Sequence, residues 1–429
     1  MPEIIQNRQE LMARIKERSS LDNPEVFNAV LEIMSNIRSN GDKALREYTA
    51  RFDGVLIDDF IVCRDEIDDA YRNIDSELLE IIREASLNIR RYHEKQLLES
   101  WSYNEGKGIR LGQKITPVNK AGVYVPGGTA PLISSVLMNV IPAKTAGVKE
   151  ITVCTPPLKD GSIDAPRIVA ACEAGADIIV KAGGAQAIFA MAFGTKTVPK
   201  VDIITGPGNI YVANAKKLAF GYCGIDMIAG PSEILIIADE SADPTMVAAD
   251  MLGQAEHDSL AAAVLIAFSP EFAGKVNFEL EKQLSDLPRR RIAGESISGF
   301  GSIYIAKDIN DAIETANEIA PEHLELLVAD PRAYEQDVEN AGAIFIGMYS
   351  PEPLGDYWAG PNHTLPTGGT AAFYSPLGVY NFQKRTSIIE YSREDLMKAA
   401  PKICRFARAE ELEAHARAIE IRFGGKKDE

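Results

Sequence analysis

The chain has 429 residues, 46% hydrophobic and 25% charged, a globular composition long enough for two or three domains at roughly 150 residues each. A formal net charge of −17 repels phosphate backbones and anionic lipid, which argues against nucleic acid and membrane surfaces as partners. No apolar run reaches the length of a bilayer span, and Met1-Pro2-Glu3 opens a charged, helical pattern without the hydrophobic region of a secretion signal. Cys63, Cys154, Cys172, Cys223 and Cys404 are odd in number and scattered, with no CxxC pair, as expected of reduced thiols in a cytoplasmic protein. Cys154 falls in an apolar strand pattern and reads as a small core residue.

Residues 1 to about 110 read mainly as helices. Val26, Val30, Ile33, Met34 and Ile37 share one helical face, and Asn40-Gly41 ends it. Residues 78–98 form a second long amphipathic pattern, which carries His93 on what reads as its surface. From about 120, short β-branched runs alternate with Gly- or Pro-rich turns and helix-length segments. Gly122–Val125 precedes Pro126-Gly127-Gly128, and Glu150–Val153 precedes Pro156-Pro157. Asp177–Val180 precedes Gly183-Gly184, and Val201–Ile204 precedes Gly206-Pro207-Gly208. Repeated βα of this kind implies a parallel sheet covered by helices. Glu233–Ile237 leads into a second such region, with strands expected at 264–268, 302–305, 326–329 and 343–346 and helices at about 243–257, 273–285 and 308–320. The last ~50 residues read as polar helix, clearest over 410–422. The reading is α/β, with two doubly wound units, one inserted in the other, plus helical N- and C-terminal segments.

In a parallel sheet, ligands sit outside the carboxyl ends of strands, and glycine lets backbone approach them. The three Gly-rich turns, with Tyr124, Gln186 and Asn209 beside them, suit a nucleotide or are simply tight βα turns; none matches GxGxxG. Four of the five histidines keep polar company. Gln254 and His257 are three apart, so one helical face presents an amide oxygen and an imidazole to a cation, unless they are only a polar helix end. Glu322 and His323 follow Pro321 at a strand-entry turn; adjacent acid and imidazole suit proton transfer or a solvated cap. Asp356 and His363 lie in a Pro/Gly-rich stretch, 350–370, expected to be a structureless functional loop. His415 has Glu411 one turn away, and Glu410 projects to another side. Imidazole nitrogens with Asp and Gln oxygens suit zinc, or more loosely manganese or cobalt.

At these positions the chain resembles the histidinol dehydrogenases. The matching stretches are GVYVPGGTAPL (122–132), AGGAQAI (182–188), GPGN (206–209), AGPSE (229–233), QAEHD (254–258), APEHLE (320–325), GDYWAGPNH (355–363) and FQKR (382–385), with Glu410 and His415. The resemblance implies a zinc- and NAD-dependent oxidation of L-histidinol to L-histidine through a bound aldehyde, on two Rossmann-like units of the aldehyde-dehydrogenase-like kind. It implies one zinc per subunit on Gln254, His257, Asp356 and His415, and catalysis by Glu322 and His323. It implies NAD contacts from Tyr124, Gln186 and Asn209. Substrate contacts are implied for Ser232, Gln254, His257, His323, Asp356, Glu410 and His415. It further implies a homodimer whose C-terminal tail crosses over, so that His415 reaches the partner's metal. The domain limits expected are 1–22 as a helical arm, 23–124 with 234–376 as the first α/β domain, 125–233 as the second, and 377–429 as the tail. The rival readings are a zinc- and NAD-dependent dehydrogenase of another small diol, a zinc hydrolase without nicotinamide, and an inactive binding protein.

Overall fold

The computed structural model describes residues 1–18, 23–127 and 132–424, and so not Gly128 of the Pro126-Gly127-Gly128 turn. It comprises two compact units, residues 1–97 with 118–382, and residues 98–117 with 383–429.

The first unit holds two parallel sheets. The six-stranded sheet runs Glu3–Ile5, Ser302–Ile305, Ala262–Ala267, Glu233–Ala238, His323–Leu327, Ala343–Ile346. The five-stranded sheet runs Ile178–Lys181, Glu150–Thr155, Lys120–Tyr124, Ile203–Thr205, Gly224–Ile225. Its strands lie in sequence between the first and second strands of the larger sheet, so one α/β unit is inserted in the other.

Both sheets are buried on both faces, as parallel sheets require, and period 2 sorts each strand's side chains between two cores. In the larger sheet Ile234, Ile236, Leu265 and Ile303 enter one core, while Leu235, Ile237, Ile266 and Leu326 enter the other. In the smaller sheet Ala121, Val123, Ile151 and Val153 face one core, and Tyr124, Cys154, Val180 and Ile204 face the opposite one.

Several expectations change. The helices between 24 and 94 were expected to belong with the larger sheet. They pack on the smaller one instead: Val26, Val30, Ile33 and Ile37 share a core with Tyr124, and Ile82, Ala85 and Ile89 share one with Val123. The N-terminal segment is not wholly helical, because Glu3–Ile5 is a strand paired with Ser302–Ile305. His93 is not on the surface. It is fully buried, with Nδ1 donating to the Ile89 carbonyl at 2.8 Å and Nε2 3.4 Å from the Asn362 amide, because the end of the Ser76–Glu94 helix packs against the 362 loop. A further helix, Arg290–Phe300, was not anticipated.

The second unit is a three-stranded antiparallel sheet, Gln383–Tyr391, Ile109–Pro117, Trp101–Glu105, followed by helices Arg393–Ala409 and Glu413–Glu420. The tail thus begins with a nine-residue strand rather than a helix. Most of its exposed positions are polar, and its ladder partners lie 266 to 282 residues earlier, which hides it from local pattern. Among the described residues no helix is long and apolar enough to cross a membrane.

Candidate active site

The chemistry gathers at the amino edge of the six-stranded sheet. Ala320, in the left-handed region at φ 50, ends the Ile309–Ile319 helix, and the chain turns through Pro321 and Glu322 into the strand that starts at His323. Glu322 and His323 are both buried, and both are tied to the neighbouring strand at Glu233. The Glu322 carboxylate (Oε2) accepts the Glu233 N–H at 2.8 Å, and His323 Nδ1 lies 3.0 Å from the Glu233 carbonyl. A carbonyl only accepts, so Nδ1 carries the proton and Nε2 presents a lone pair. Burial pushes the imidazole down to about 4, partly opposed by nearby Asp356. His323 is therefore neutral near pH 7.

The stretch 350–370 is not structureless. Residues Glu352–Tyr357 form a short helix, with Pro353 in its first turn, that puts Glu352 and Asp356 four residues apart on one face. Glu352 was not singled out from the sequence; its i, i+4 relation to Asp356 behind a Pro-flanked start was the available signal. Donor atoms of His257, Glu352 and Asp356 lie within 4.8 Å of one another, and His323 Nε2 is 3.9 Å from Glu352 Oε1. The two carboxyls are driven apart. Burial, then the charge of Asp356, raises Glu352 to about 9. Burial also raises Asp356, but His363, His323 and His257 more than reverse this and leave it at about 2. A neutral acid, an anion and a neutral imidazole thus stand together, the arrangement that acid–base chemistry needs.

His257 comes from the end of the Pro244–Ala255 helix, which Asp243 caps through the Thr245 N–H at 2.8 Å. Gln254 lies on that helix, 1% exposed, with neither its amide oxygen nor its nitrogen hydrogen-bonded. Such a buried orphan is costly unless a ligand completes it. Together with the imidazole and carboxylate at His257 and Asp356, it fits a divalent cation of the zinc class. A buried acid, Glu325, lies between the two helices that supply these groups: it accepts the Glu352 N–H at 2.8 Å and stands close enough to Asp250 of the Pro244–Ala255 helix for that carboxyl to raise its pKa.

His363, left unassigned by the sequence, joins the two α/β layers. Its Nδ1 is 3.4 Å from Asp356, and its Nε2 is 3.4 Å from Ser135, in the first turn of the Ile133–Thr145 helix that follows the smaller sheet's central strand. Ser232 immediately precedes the Glu233–Ala238 strand.

At the carboxyl edge of the five-stranded sheet the Tyr124 hydroxyl accepts the Gly184 N–H at 3.0 Å, and burial raises its pKa to about 12. Gln186 is 1% exposed, and its side-chain oxygen has no partner, an opening for a polar ligand. Asn209 caps the Ile210–Ala219 helix, accepting the Tyr211 and Val212 N–H groups at 3.1 and 3.2 Å. Glu410 and His415 belong to the second compact unit, Glu410 at the end of the Arg393–Ala409 helix and His415 on Glu413–Glu420, both exposed.

The histidinol dehydrogenase family profile matches residues 16–423. The chain is 54% identical over 411 residues to a histidinol dehydrogenase from Bacillus subtilis (strain 168), covering 95% of this chain and 96% of that one. It is also 54% identical over 398 residues to one from Geobacillus kaustophilus (strain HTA426), covering 93% and 94%. The crystal structure of histidinol dehydrogenase from Elizabethkingia anophelis superposes with a TM-score of 0.93 at 38% identity, over 99% of this chain and 98% of that one.

Proposed function

From the premise that the chain belongs to the histidinol dehydrogenase family, we propose that it oxidises L-histidinol to L-histidine, the last step of histidine biosynthesis, in two successive hydride transfers through histidinal. The observation that carries the mechanism is the hydrogen bond from His323 Nδ1 to the Glu233 carbonyl, because it leaves Nε2 unprotonated beside the acidic cluster. His323 takes the hydroxyl proton of the substrate alcohol as the carbon-bound hydrogen departs with its electron pair. Glu322 takes a proton from the water that adds to the aldehyde, and His323 serves again when the resulting hydrate is oxidised. The sum is one alcohol and one water converted to one carboxylate, with two hydrides and three protons released.

Gln254, His257 and Asp356, with the partner subunit's His415, are assigned to hold a zinc ion. Held there, a zinc ion would supply a template for orienting the substrate. NAD, when bound, would supply the hydride acceptor, and Tyr124, Gln186 and Asn209 are assigned to hold it. Ser232 and Glu410 complete the substrate contacts. Supplying His415 from a tail that crosses over requires a homodimer, and the reduced cysteines and acidic surface suit the cytoplasm.

The test is NADH formation from histidinol by the purified protein, before and after chelation. Activity that requires histidinol and NAD, and that chelation abolishes and zinc restores, supports the reading. Activity that survives chelation removes the metal from it. The division of labour is tested separately: Glu322→Gln should slow oxidation of histidinal about 10²-fold or more while sparing the histidinol step. Equal losses in both half-reactions would reject it.

A further inference from the structure

One buried charge pair plays no part in the chemistry above. Lys216, on the Ile210–Ala219 helix, and Asp226, just past the Gly224–Ile225 strand, form an ion pair with side chains 3% and 0% exposed. Both grip the same residue. Lys216 Nζ donates to the Gly206 carbonyl at 2.8 Å, and Asp226 Oδ2 accepts the Gly206 N–H at 2.8 Å. Asp226 is itself held by the Met227 N–H at 2.7 Å. Gly206 has φ +119, and a Cβ there would lie 2.0 Å from the Tyr124 carbonyl, so the turn is pressed against the end of the central strand. Asn209, three residues on, starts the helix that sends Lys216 back beneath the turn.

A fully buried ion pair is a poor stabiliser, because desolvation offsets its attraction. Its strength is geometric: two charge-assisted hydrogen bonds to one residue permit a single turn conformation. We propose that Lys216 and Asp226 are positioning residues for the dinucleotide, clamping the 206–208 turn so that this backbone and Asn209 meet the cofactor without reorganisation. The inference rests on the reading that NAD binds at this edge. The pair touches neither substrate nor the reacting atoms.

The double variant Lys216→Met/Asp226→Leu removes both charges and leaves no buried ion unpaired. Steady-state kinetics on the zinc-loaded enzyme should show KM for NAD raised about 10-fold or more, the effect of losing charge-assisted hydrogen bonds. KM for histidinol and kcat at saturating NAD should stay within about twofold of wild type, since the pair makes no contact specific to the transition state. An unchanged KM for NAD, or an equal rise in both KM values, overturns the proposal. Should the double variant not fold, Asp226→Asn is used with thermal unfolding across an NAD titration. The variant should need more NAD than wild type for the same rise in Tm. The same NAD dependence in both overturns the clamp alone. No NAD-dependent rise in wild type overturns the cofactor reading and the clamp with it.

Discussion

The five-stranded sheet turns its carboxyl edge towards the proposed cofactor, whereas the six-stranded sheet turns its amino edge towards the substrate chemistry. The first edge is made largely of backbone: glycine turns, a capped helix and hydroxyl or amide side chains, with the Lys216–Asp226 ion pair buried beneath the turn. The second edge is made of charge: buried acids and imidazoles, with Glu352 raised to about 9, Asp356 held near 2 and His323 lowered to about 4. Cofactor recognition, as proposed, is thus a matter of shape that the chain path supplies. Proton transfer is a matter of desolvation, which arises only where distant side chains are buried together. His363, in contact with both Ser135 and Asp356, joins the two edges.

That contrast can be broken from either side. The largest effect is expected from His323→Asn, which removes the lone pair at Nε2. kcat should fall about 10²–10⁴-fold while NAD affinity, measured by calorimetry, stays unchanged. A loss of NAD affinity of similar size would mean that the edges are not separable. Next comes Gly206→Ala, which puts a Cβ 2.0 Å from the Tyr124 carbonyl in a strained backbone region. Strain of this kind costs about 1–3 kcal/mol. KM for NAD should rise at least about 10-fold and Tm should fall by a few degrees. A variant with wild-type KM for NAD would show that the turn does not meet the cofactor.

The smallest effect concerns Glu325, raised to about 9 by burial and by Asp250. A carboxyl raised in the folded state binds more protons there than in the unfolded chain. Its stabilising contribution is full below the ordinary value of 4.5 and is lost as pH climbs through about 9. Glu325→Gln keeps an oxygen for the Glu352 N–H and does not titrate. Between pH 5 and 9 its Tm should fall by about 2–4 °C less than that of wild type. Parallel Tm–pH curves would show that Glu325 ionises freely.

Much of this molecule was legible as pattern. The strands at 302–305 and 343–346 and most helices of the second α/β region follow local periodicity, as does the apolar face built on Val26, Val30, Ile33 and Ile37. Elements whose partners are remote in sequence were not legible. The strand at Glu3–Ile5 is short and forms only because Ser302–Ile305 offers an edge, and Gln383–Tyr391 is a strand only against Ile109–Pro117. His93 sits in a helical pattern that gives no sign of the loop covering it. Glu352 gave no signal of its own in a stretch read as structureless, and a single helical turn aligns it with Asp356.

Composition and periodicity by themselves determined an acidic α/β protein of two nested parallel sheets, because hydrophobic spacing is a local property and each element carries its own. Motif content determined the family and nominated Glu322 and His323 as the proposed catalytic pair. The tertiary structure alone decided which sheet the N-terminal helices cover, which acids lose their charge and which nitrogen of His323 is bare. These depend on burial and on contacts that only the folded chain makes, such as the hydrogen bond between His323 and Glu233, 90 positions apart. Desolvation belongs to the assembled interior and is written in no single stretch of chain.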